Sequence, residues 1–575
     1  MKKHCVRVGA MLLTAAILSA CATRPSAPIE LNLVALNDFH GNLEASKFAY
    51  TGAGSDKETT IQAGGIDAIA AALQAFRRED KDLLFVGAGD LVGASPAVSS
   101  LWADEPSIAA LSMLGMRFSS VGNHEFDLGR AELLRKQAGG CVSPVPAKAC
   151  KFNPDFRGAA FRYLAANVID SATGKPLLPA FAIEETKGVK IAWIGAVLKD
   201  ADKLVLAAGI AGLSFTDEAD AINKAVAEAR AQGASVFVVL IHEGGRTEEA
   251  FDQPDCAKLQ GPIVGIVRRL DPAVRLVVSG HSHTGYQCKV DQRDVTQAQM
   301  GGHVLTRIKL LIDPASRAVQ SVAVRNVPVR QGEYPADPKA VSYLAEVKQR
   351  SEAALARPIA RVALRHMGRK MNASGESPLG SMAADAVLAA TAAQGAQIGF
   401  MNPAGLRKDL DVGDDLVARF NQVQATLPFA NTLVMMDLSG AELKQLLEQQ
   451  WQRPSFDPDR NMLQISHGLS YRWDPALPPG RRVVEGSLTL NGVAVDTSKT
   501  YRVTANNFLA EGGDGFAQFA AARNKTDTHI VDIDAFIAYL VKHDQDATPA
   551  GLAAPEGRFQ RVGADAAATA TAQPH

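Results

Sequence analysis

The chain has almost no charge of either sign to spare: 60 Lys and Arg stand against 61 Asp and Glu, a net charge of −1 over 575 residues. A near-neutral chain exerts no general pull on a nucleic-acid polymer, and no strongly acidic or basic partner is implied. No nucleic-acid polymer and no protein partner are therefore expected. Cysteine is scarce, six in all, and no Cys-x-x-Cys pair occurs, which argues against a zinc site built from thiolates. The apolar run from Val8 to Ser19 is too short for a stop-transfer helix, which needs roughly 20 residues. No repeat of 20–50 residues is present, which excludes a solenoid. Hydrophobic residues at 47% and charged residues at 21% exclude a disordered chain. The length exceeds what one core supports and points to two or three domains.

What is there begins with an export signal. Lys2, Lys3 and Arg7 precede the apolar run, which ends Leu18-Ser19-Ala20-Cys21. This resembles a bacterial lipobox, so residues 1–20 read as a signal peptide, Cys21 as the lipidated first residue and 21–29 as a tether. Ala22 is not the Asp of inner-membrane retention, so the expected location is the outer membrane, on its periplasmic or cell-surface side. The alternative is a plain cleaved signal with Cys21 incidental. Cys141, Cys150, Cys256 and Cys288 then lie in an oxidising compartment, where four cysteines allow three connectivities. Cys141–Cys150 and Cys256–Cys288 are favoured because each pair brackets one loop; each bridge contributes about 2–4 kcal/mol.

Five buried strands share one design: an apolar run whose C-terminal end breaks into Asp, Asn or His. Leu31–Leu36 leads to Asn37-Asp38-Phe39-His40, and Leu83–Val86 to Gly87-Ala88-Gly89-Asp90. Phe118–Val121 leads to Gly122-Asn123-His124-Glu125-Phe126-Asp127, Val236–Ile241 to His242, and Leu276–Gly280 to His281-Ser282-His283. Helical patterns over 66–78, 107–114 and 217–232 alternate with them, which predicts a sheet with helices on both faces and ligands beyond the strand ends. A Pro-punctuated, then strongly helical stretch over 333–360 reads as a linker helix between a domain over 30–332 and a second over 361–561. The Ala/Thr-rich tail, 562–575, reads as disordered.

Each polar residue alone would be an ordinary cap, turn or core residue. Together, Asp38, His40, Asp90, Asn123, His242, His281 and His283 supply the roughly seven ligands that two divalent ions about 3.5–4 Å apart require. Asp38, His40 and His283 are assigned to one ion, Asn123, His242 and His281 to the other, with Asp90 between them. Imidazole with carboxylate suits Zn, Mn, Co or Fe better than Ca. His124 remains outside the set.

These motifs resemble the calcineurin-like metallophosphoesterase signature, and more specifically the 5′-nucleotidase family. That resemblance implies an N-terminal four-layer α/β/β/α domain joined by the helical linker to a C-terminal α/β nucleotide-binding domain. It implies in-line attack of activated water on a phosphoryl group, with His124 stabilising the transition state and Asp127 orienting His124. It also implies that Phe429 and Phe508 stack on the base and Asp514 binds ribose. Asn402 and Arg407 would contact phosphate or base edge, with Asn431 beside the stack. Without it, Phe429 and Phe508 read as core residues and Arg407 as a surface arginine after a turn. The segment Glu376–Asp385 also matches, and a hinge rotation between the domains is implied.

Two departures stand out. The family's Gly-rich turn reads Asn402-Pro403-Ala404-Gly405, where Pro403 removes a backbone donor, and Gly375 stands where ecto-5′-nucleotidase-like members carry an arginine. The expected function is hydrolysis of nucleotide phosphate esters. Alternatives are cleavage of a pyrophosphate bond in UDP-sugars, NAD or nucleoside diphosphates, thiosulfohydrolase chemistry, and a non-catalytic nucleotide-binding lipoprotein.

Overall fold

The computed structural model describes residues 27–205, 207–429, 431–452 and 462–562. The expected signal peptide, Cys21 and the tail beyond Val562 lie outside them. The first half of the chain holds twelve principal strands: β1 (Ile29–Leu36), β2 (Leu84–Ala88), β3 (Met116–Ser120), β4 (Arg162–Leu164), β5 (Phe181–Thr186), β6 (Val189–Val197), β7 (Val236–His242), β8 (Val274–Ser279), β9 (Tyr286–Val290), β10 (Arg293–Gln297), β11 (Val304–Ile312) and β12 (Val319–Pro328). They form two mixed six-stranded sheets, ordered β12-β11-β1-β2-β3-β4 and β9-β10-β8-β7-β6-β5. β1 to β4 run parallel in the first, and β6, β7, β8 and β10 run parallel in the second.

The single sheet with helices on both faces is thus corrected to two stacked sheets. A strand apolar on both sides must be covered on both sides, but its residues do not say by what. Leu31, Leu33 and Ala35 of β1 pack with Trp193, Val238 and Leu240 of the other sheet. Their alternates Val34 and Leu36 meet the helix Ile66–Glu79. That helix buries Ile66, Ile69, Leu73 and Phe76 along one stripe and carries Asp67 in its first turn and Arg77 and Arg78 in its last, as the helix dipole favours. The helices Glu218–Ala231 and Pro262–Arg268 cover the outer face of the second sheet. The layers therefore run α/β/β/α, as the family resemblance implied.

The second half contains β13 (Ile398–Met401), β14 (Thr432–Ser439), β15 (Gln464–Ile465), β16 (Thr500–Asn506) and β17 (Arg523–Val531), ordered β15-β13-β16-β14-β17. Apolar clusters lie on both faces of this sheet, one with the helix Gly440–Gln449 and one with Pro378–Thr391 and Asp532–Gln545. Between the halves, Asp337 caps the helix Pro338–Leu355. This helix is not a free strut. Tyr343 Oη donates to Pro106 O (3.0 Å), Trp102 Nε1 donates to Ser351 Oγ (2.8 Å), and the Arg350 guanidinium lies 4.3 Å from the Phe152 ring centre. The second domain touches back through Gln424, whose Nε2 donates to Ser95 O (3.2 Å) and Ser100 Oγ (2.9 Å). Both favoured disulfides, Cys141–Cys150 and Cys256–Cys288, are present.

Trp193 fills the space between the two sheets, stacked on Phe118 with ring centres 5.7 Å apart, and its buried indole N–H has no hydrogen-bond partner among the described residues. Trp193→Ala should destabilise the first domain by about 3–5 kcal/mol through the cavity it leaves. Trp193→Phe should cost less than about half of that, because it also removes an unsatisfied donor. Denaturant unfolding of the two variants measures the difference.

Candidate active site

The ends of β1, β2, β3, β7 and β8 open at one edge of the two stacked sheets. There Asp38, His40, Asp90 and His283 present ligand atoms all within 4.8 Å of one another, and so do Asp90, His242 and His281. Asp90 belongs to both groups. His40 Nε2 lies 3.1 Å from His283 Nε2 and 3.7 Å from Asp90 Oδ2, and His283 Nε2 lies 3.3 Å from Asp38 Oδ1. On the other side, His242 Nε2 is 2.9 Å from Asp90 Oδ2, and His281 Nδ1 is 3.1 Å from Asn123 Oδ1.

The donor set fits a cation. His40 Nδ1 bonds Gly93 O (2.9 Å) and His242 Nδ1 bonds Ala88 O (2.8 Å), which fixes the tautomer and leaves each Nε2 facing the cage. His242 Nε2 is fully buried and faces the Asp90 carboxylate. Burial works against charge on Asp38 and Asp90, yet their histidines hold both below the usual carboxylate range. Burial also works against charge on His242, but Asp90 and then Asp38 push its imidazole up to about 10. A metal bound at this imidazole would compete with its proton.

The backbone is bent to make this cage. Asp38, His40, Asp90, His281 and His283 all have left-handed φ, from 46° to 74°, a conformation that costs non-glycine residues roughly 1–3 kcal/mol each. Gly122 has to be glycine because a Cβ there would run into Asp90 Oδ1. Glu125, which the sequence left without a role, explains how the loops hold. It is buried and accepts the backbone N–H groups of Asp90 (2.9 Å), Leu91 (2.8 Å) and Gly122 (2.5 Å), and the hydroxyl of Tyr163 (3.3 Å). It ties the Asp90 loop to the Asn123 loop. Asn37 does the same for Asp38, donating to its Oδ2 (2.6 Å) while its own Oδ1 accepts from Ala298 N (2.6 Å).

His124 lies beside the cage. Its Nδ1 is 2.9 Å from Asp127 Oδ2, and its ring meets His40 edge-on at 5.1 Å. Burial opposes the charged imidazole, but Asp127 and then Asp90 outweigh it, so the proton is held above the ordinary histidine range.

A cavity of about 270 Å³ lies against this edge, between the two domains. Asp90, Asn123, His124, Asp127, His281 and His283 line one side. Asn402, Arg407, Phe429, Asn431, Phe508 and Asp514 line the other, so all six expected substrate residues meet in one place. Asp38, His40 and His242 lie deeper and do not line it. The Phe429 ring stacks on His124 at 5.6 Å, and the Arg407 guanidinium is 5.9 Å from the Phe429 ring centre. Asn402 Nδ2 donates to Asp514 Oδ2 (2.8 Å), and Asn506 Nδ2 donates to Asn402 Oδ1 (3.0 Å). Asn506 thus supports the site although no motif marked it. The Glu376–Asp385 segment is structural instead: Glu376 accepts the backbone N–H groups of Glu556, Gly557 and Arg558, and Asp385 pairs with Arg558 at 2.7 Å. Arg246 and Arg369 also line the cavity and were not singled out from the sequence.

Because Glu125 does not line the cavity and offers no ligand atom to the cage, its replacement tests positioning alone. Glu125→Ala should reduce both metal affinity and turnover about 10–100-fold, as loss of an outer support of a metal site does. Glu125→Gln, which keeps part of the clamp, should lose less. Metal analysis after dialysis against a weak chelator, alongside turnover, checks the order.

Comparison with known proteins places this geometry. Residues 31–285 match the calcineurin-like phosphoesterase family, and residues 354–521 match the 5′-nucleotidase C-terminal domain. The chain is 26% identical over 602 residues to a probable 5′-nucleotidase of Treponema pallidum (strain Nichols), covering 94% of this chain and 96% of that one. It is 28% identical over 524 residues to endonuclease YhcR of Bacillus subtilis (strain 168), covering 91% of this chain but 40% of that protein's length. A solved 5′-nucleotidase precursor from Thermus thermophilus superimposes with a TM-score of 0.73 at 26% identity, covering 93% of this chain and 100% of the other. With both regions matched in order and the fold shared along nearly the whole length, the chain belongs to the 5′-nucleotidase family of calcineurin-like phosphoesterases.

Proposed function

We propose that this protein is an exported, metal-dependent hydrolase that converts nucleotides to nucleosides and phosphate. The observation that carries the reading is one cavity lined both by the Asp90-centred cage and by Phe429, Phe508 and Asp514. Asp38, His40, Asp90 and His283 would hold one divalent ion, and Asp90, Asn123, His242 and His281 a second, with Zn, Mn, Co or Fe suited to these donors. Such ions supply charge neutralisation for the phosphoryl group and a water of lowered pKa.

The chain's own residues do the rest. Asp127 fixes His124 through Nδ1, 2.9 Å away, so that the opposite edge of the ring donates to the phosphoryl oxygen as charge builds on it. Arg407 adds a guanidinium from the opposite wall of the cavity, suited to a phosphate by its planar donor fork. Phe429 and Phe508 offer ring faces to a base. Asp514, held by Asn402, accepts from ribose hydroxyls. This division follows the proposed domain boundaries, 30–332 and 361–561, with the helix of 333–360 between them. The amino-terminal signal pattern and Cys21 support a lipid anchor on the outer membrane, where the enzyme would act in nucleotide scavenging.

His124→Ala should lower kcat by about 10²–10³-fold while metal content stays at the parent level. Loss of metal with the activity would move His124 into the ligand set. Phe508→Ala should raise KM for AMP about tenfold or more, the worth of a stacked base, and leave phenyl phosphate, which has no nucleobase, nearly unaffected. An equal fall on both substrates would make Phe508 a packing residue.

A further inference from the structure

Gln424 is an odd residue to bury. It sits on the second-domain helix Phe420–Thr426 and is almost wholly covered. Its Nε2 donates to Ser95 O (3.2 Å) and Ser100 Oγ (2.9 Å) of the first domain, while its Oε1 is buried with no hydrogen-bond partner among the described residues. A buried acceptor left unmet is costly, and a methionine of the same length would fill this space without that cost. Packing therefore does not account for the amide; the two bonds it donates do.

Those bonds land on the segment that supports the cage. Two residues before Ser95, Gly93 O accepts from His40 Nδ1 (2.9 Å), the bond that turns His40 Nε2 toward the cage. Gly93 also lies against the His124–Asp127 pair: a Cβ on it would meet His124 O at 2.6 Å and Asp127 Oδ2 at 2.7 Å. The next residue, Ala94, has a left-handed φ of 48°, which a non-glycine residue keeps only where its surroundings hold it. Within the first domain that hold comes from Asp104, which accepts from Ser99 Oγ (2.7 Å) and, at 3.4 Å, from Gly93 N. Gln424 adds a second hold at Ser95, directly after Ala94, and another at Ser100. Its helix leads on to Phe429, whose ring stacks on His124. One stretch of the second domain thus touches both His124 and the support of His40.

We infer that Gln424 is a positioning residue for the metal cage. By holding residues 93–100 from the second domain, it makes the support of His40 and the wall beside His124 depend on contact between the domains. Where that contact is lost, the segment keeps only its Asp104 bonds and the cage loosens. Competence for hydrolysis is then tied to docking of the domain that carries Phe429, Phe508 and Asp514. The effect on metal and turnover rests on the proposed two-ion function; the hold on the segment does not.

The test uses the full chain as parent, Gln424→Ala and Gln424→Met, the last keeping the length and burial of the side chain without its donor. In Mn²⁺ titrations of metal-free protein, both variants should lose about tenfold in affinity at the site that holds His40, the worth of two hydrogen bonds behind a ligand; His40→Ala identifies that site. Turnover of AMP and of phenyl phosphate should fall together, in kcat rather than KM. Unchanged Mn²⁺ affinity with a raised KM for AMP alone would overturn the inference and leave Gln424 as a docking contact. Deuterium uptake by residues 93–100 in metal-free protein should be about tenfold faster in Gln424→Met, and unchanged uptake would also overturn it. A parent that binds no Mn²⁺ and releases no phosphate would sink the two-ion function, while the uptake would still decide whether Gln424 holds the segment.

Discussion

The carboxylate of Asp90 is the point at which the site is joined. One oxygen lies 2.9 Å from His242 Nε2, and the other accepts the backbone N–H of His124 at 2.9 Å. Its own N–H is held by Glu125. A buried carboxylate with a second one, Asp38, close by is costly unless positive charge sits between them. Asp90 and then Asp38 push the buried His242 imidazole up to about 10, whereas burial holds His40 well below the usual histidine range; the proposed ions would supply positive charge between the carboxylates. Much of the surrounding structure follows from this constraint. Five non-glycine ligand positions take left-handed backbone, Gly122 clears room for the carboxylate, and Glu125 and Asn37 hold the loops in place.

The stacked sheets make that arrangement affordable. β1, β2 and β3 of one sheet and β7 and β8 of the other end at the same edge, so ligands far apart in sequence converge without long loops. The apolar layer around Trp193 fixes the two sheets against each other. Each ligand is then carried by a strand end that cannot shift without disturbing packing on both faces. The second domain contributes by closure. Phe429 lies over His124 and Gln424 reaches Ser95 and Ser100, so the cavity has His124 and Asp127 on one wall and Phe429, Phe508 and Asp514 on the other.

Much of this was readable from the residues. An apolar run that breaks into Gly-Asp or Gly-Asn-His marks a strand end with a polar task, and five such breaks in one half of the chain mark one site. The pairing of strands into two sheets was not readable, since Leu31 and Val34 look alike although one faces the other sheet and one a helix. Glu125 was equally opaque: its partners are backbone N–H groups of residues 90, 91 and 122, and main-chain donors leave no trace in a side-chain pattern. Asn506 gave no signal because it acts through Asn402, a neighbour brought close only by the fold. The helix after Asp337 was legible as a helix, but that its face is fastened to Trp102 and Tyr343's partner Pro106 was not.

On the proposed function, phosphate release depends on two ions held by the cage around Asp90. Metal-stripped protein titrated with Mn²⁺, with bound ions counted by equilibrium dialysis and phosphate release from a nucleotide followed in the same samples, tests it most directly. The account predicts two ions per chain at saturation, activity that rises with the second, and loss of both sites' affinity in Asp90→Ala. A single ion at full activity, or an Asp90→Ala enzyme that still binds two and turns over, would contradict it.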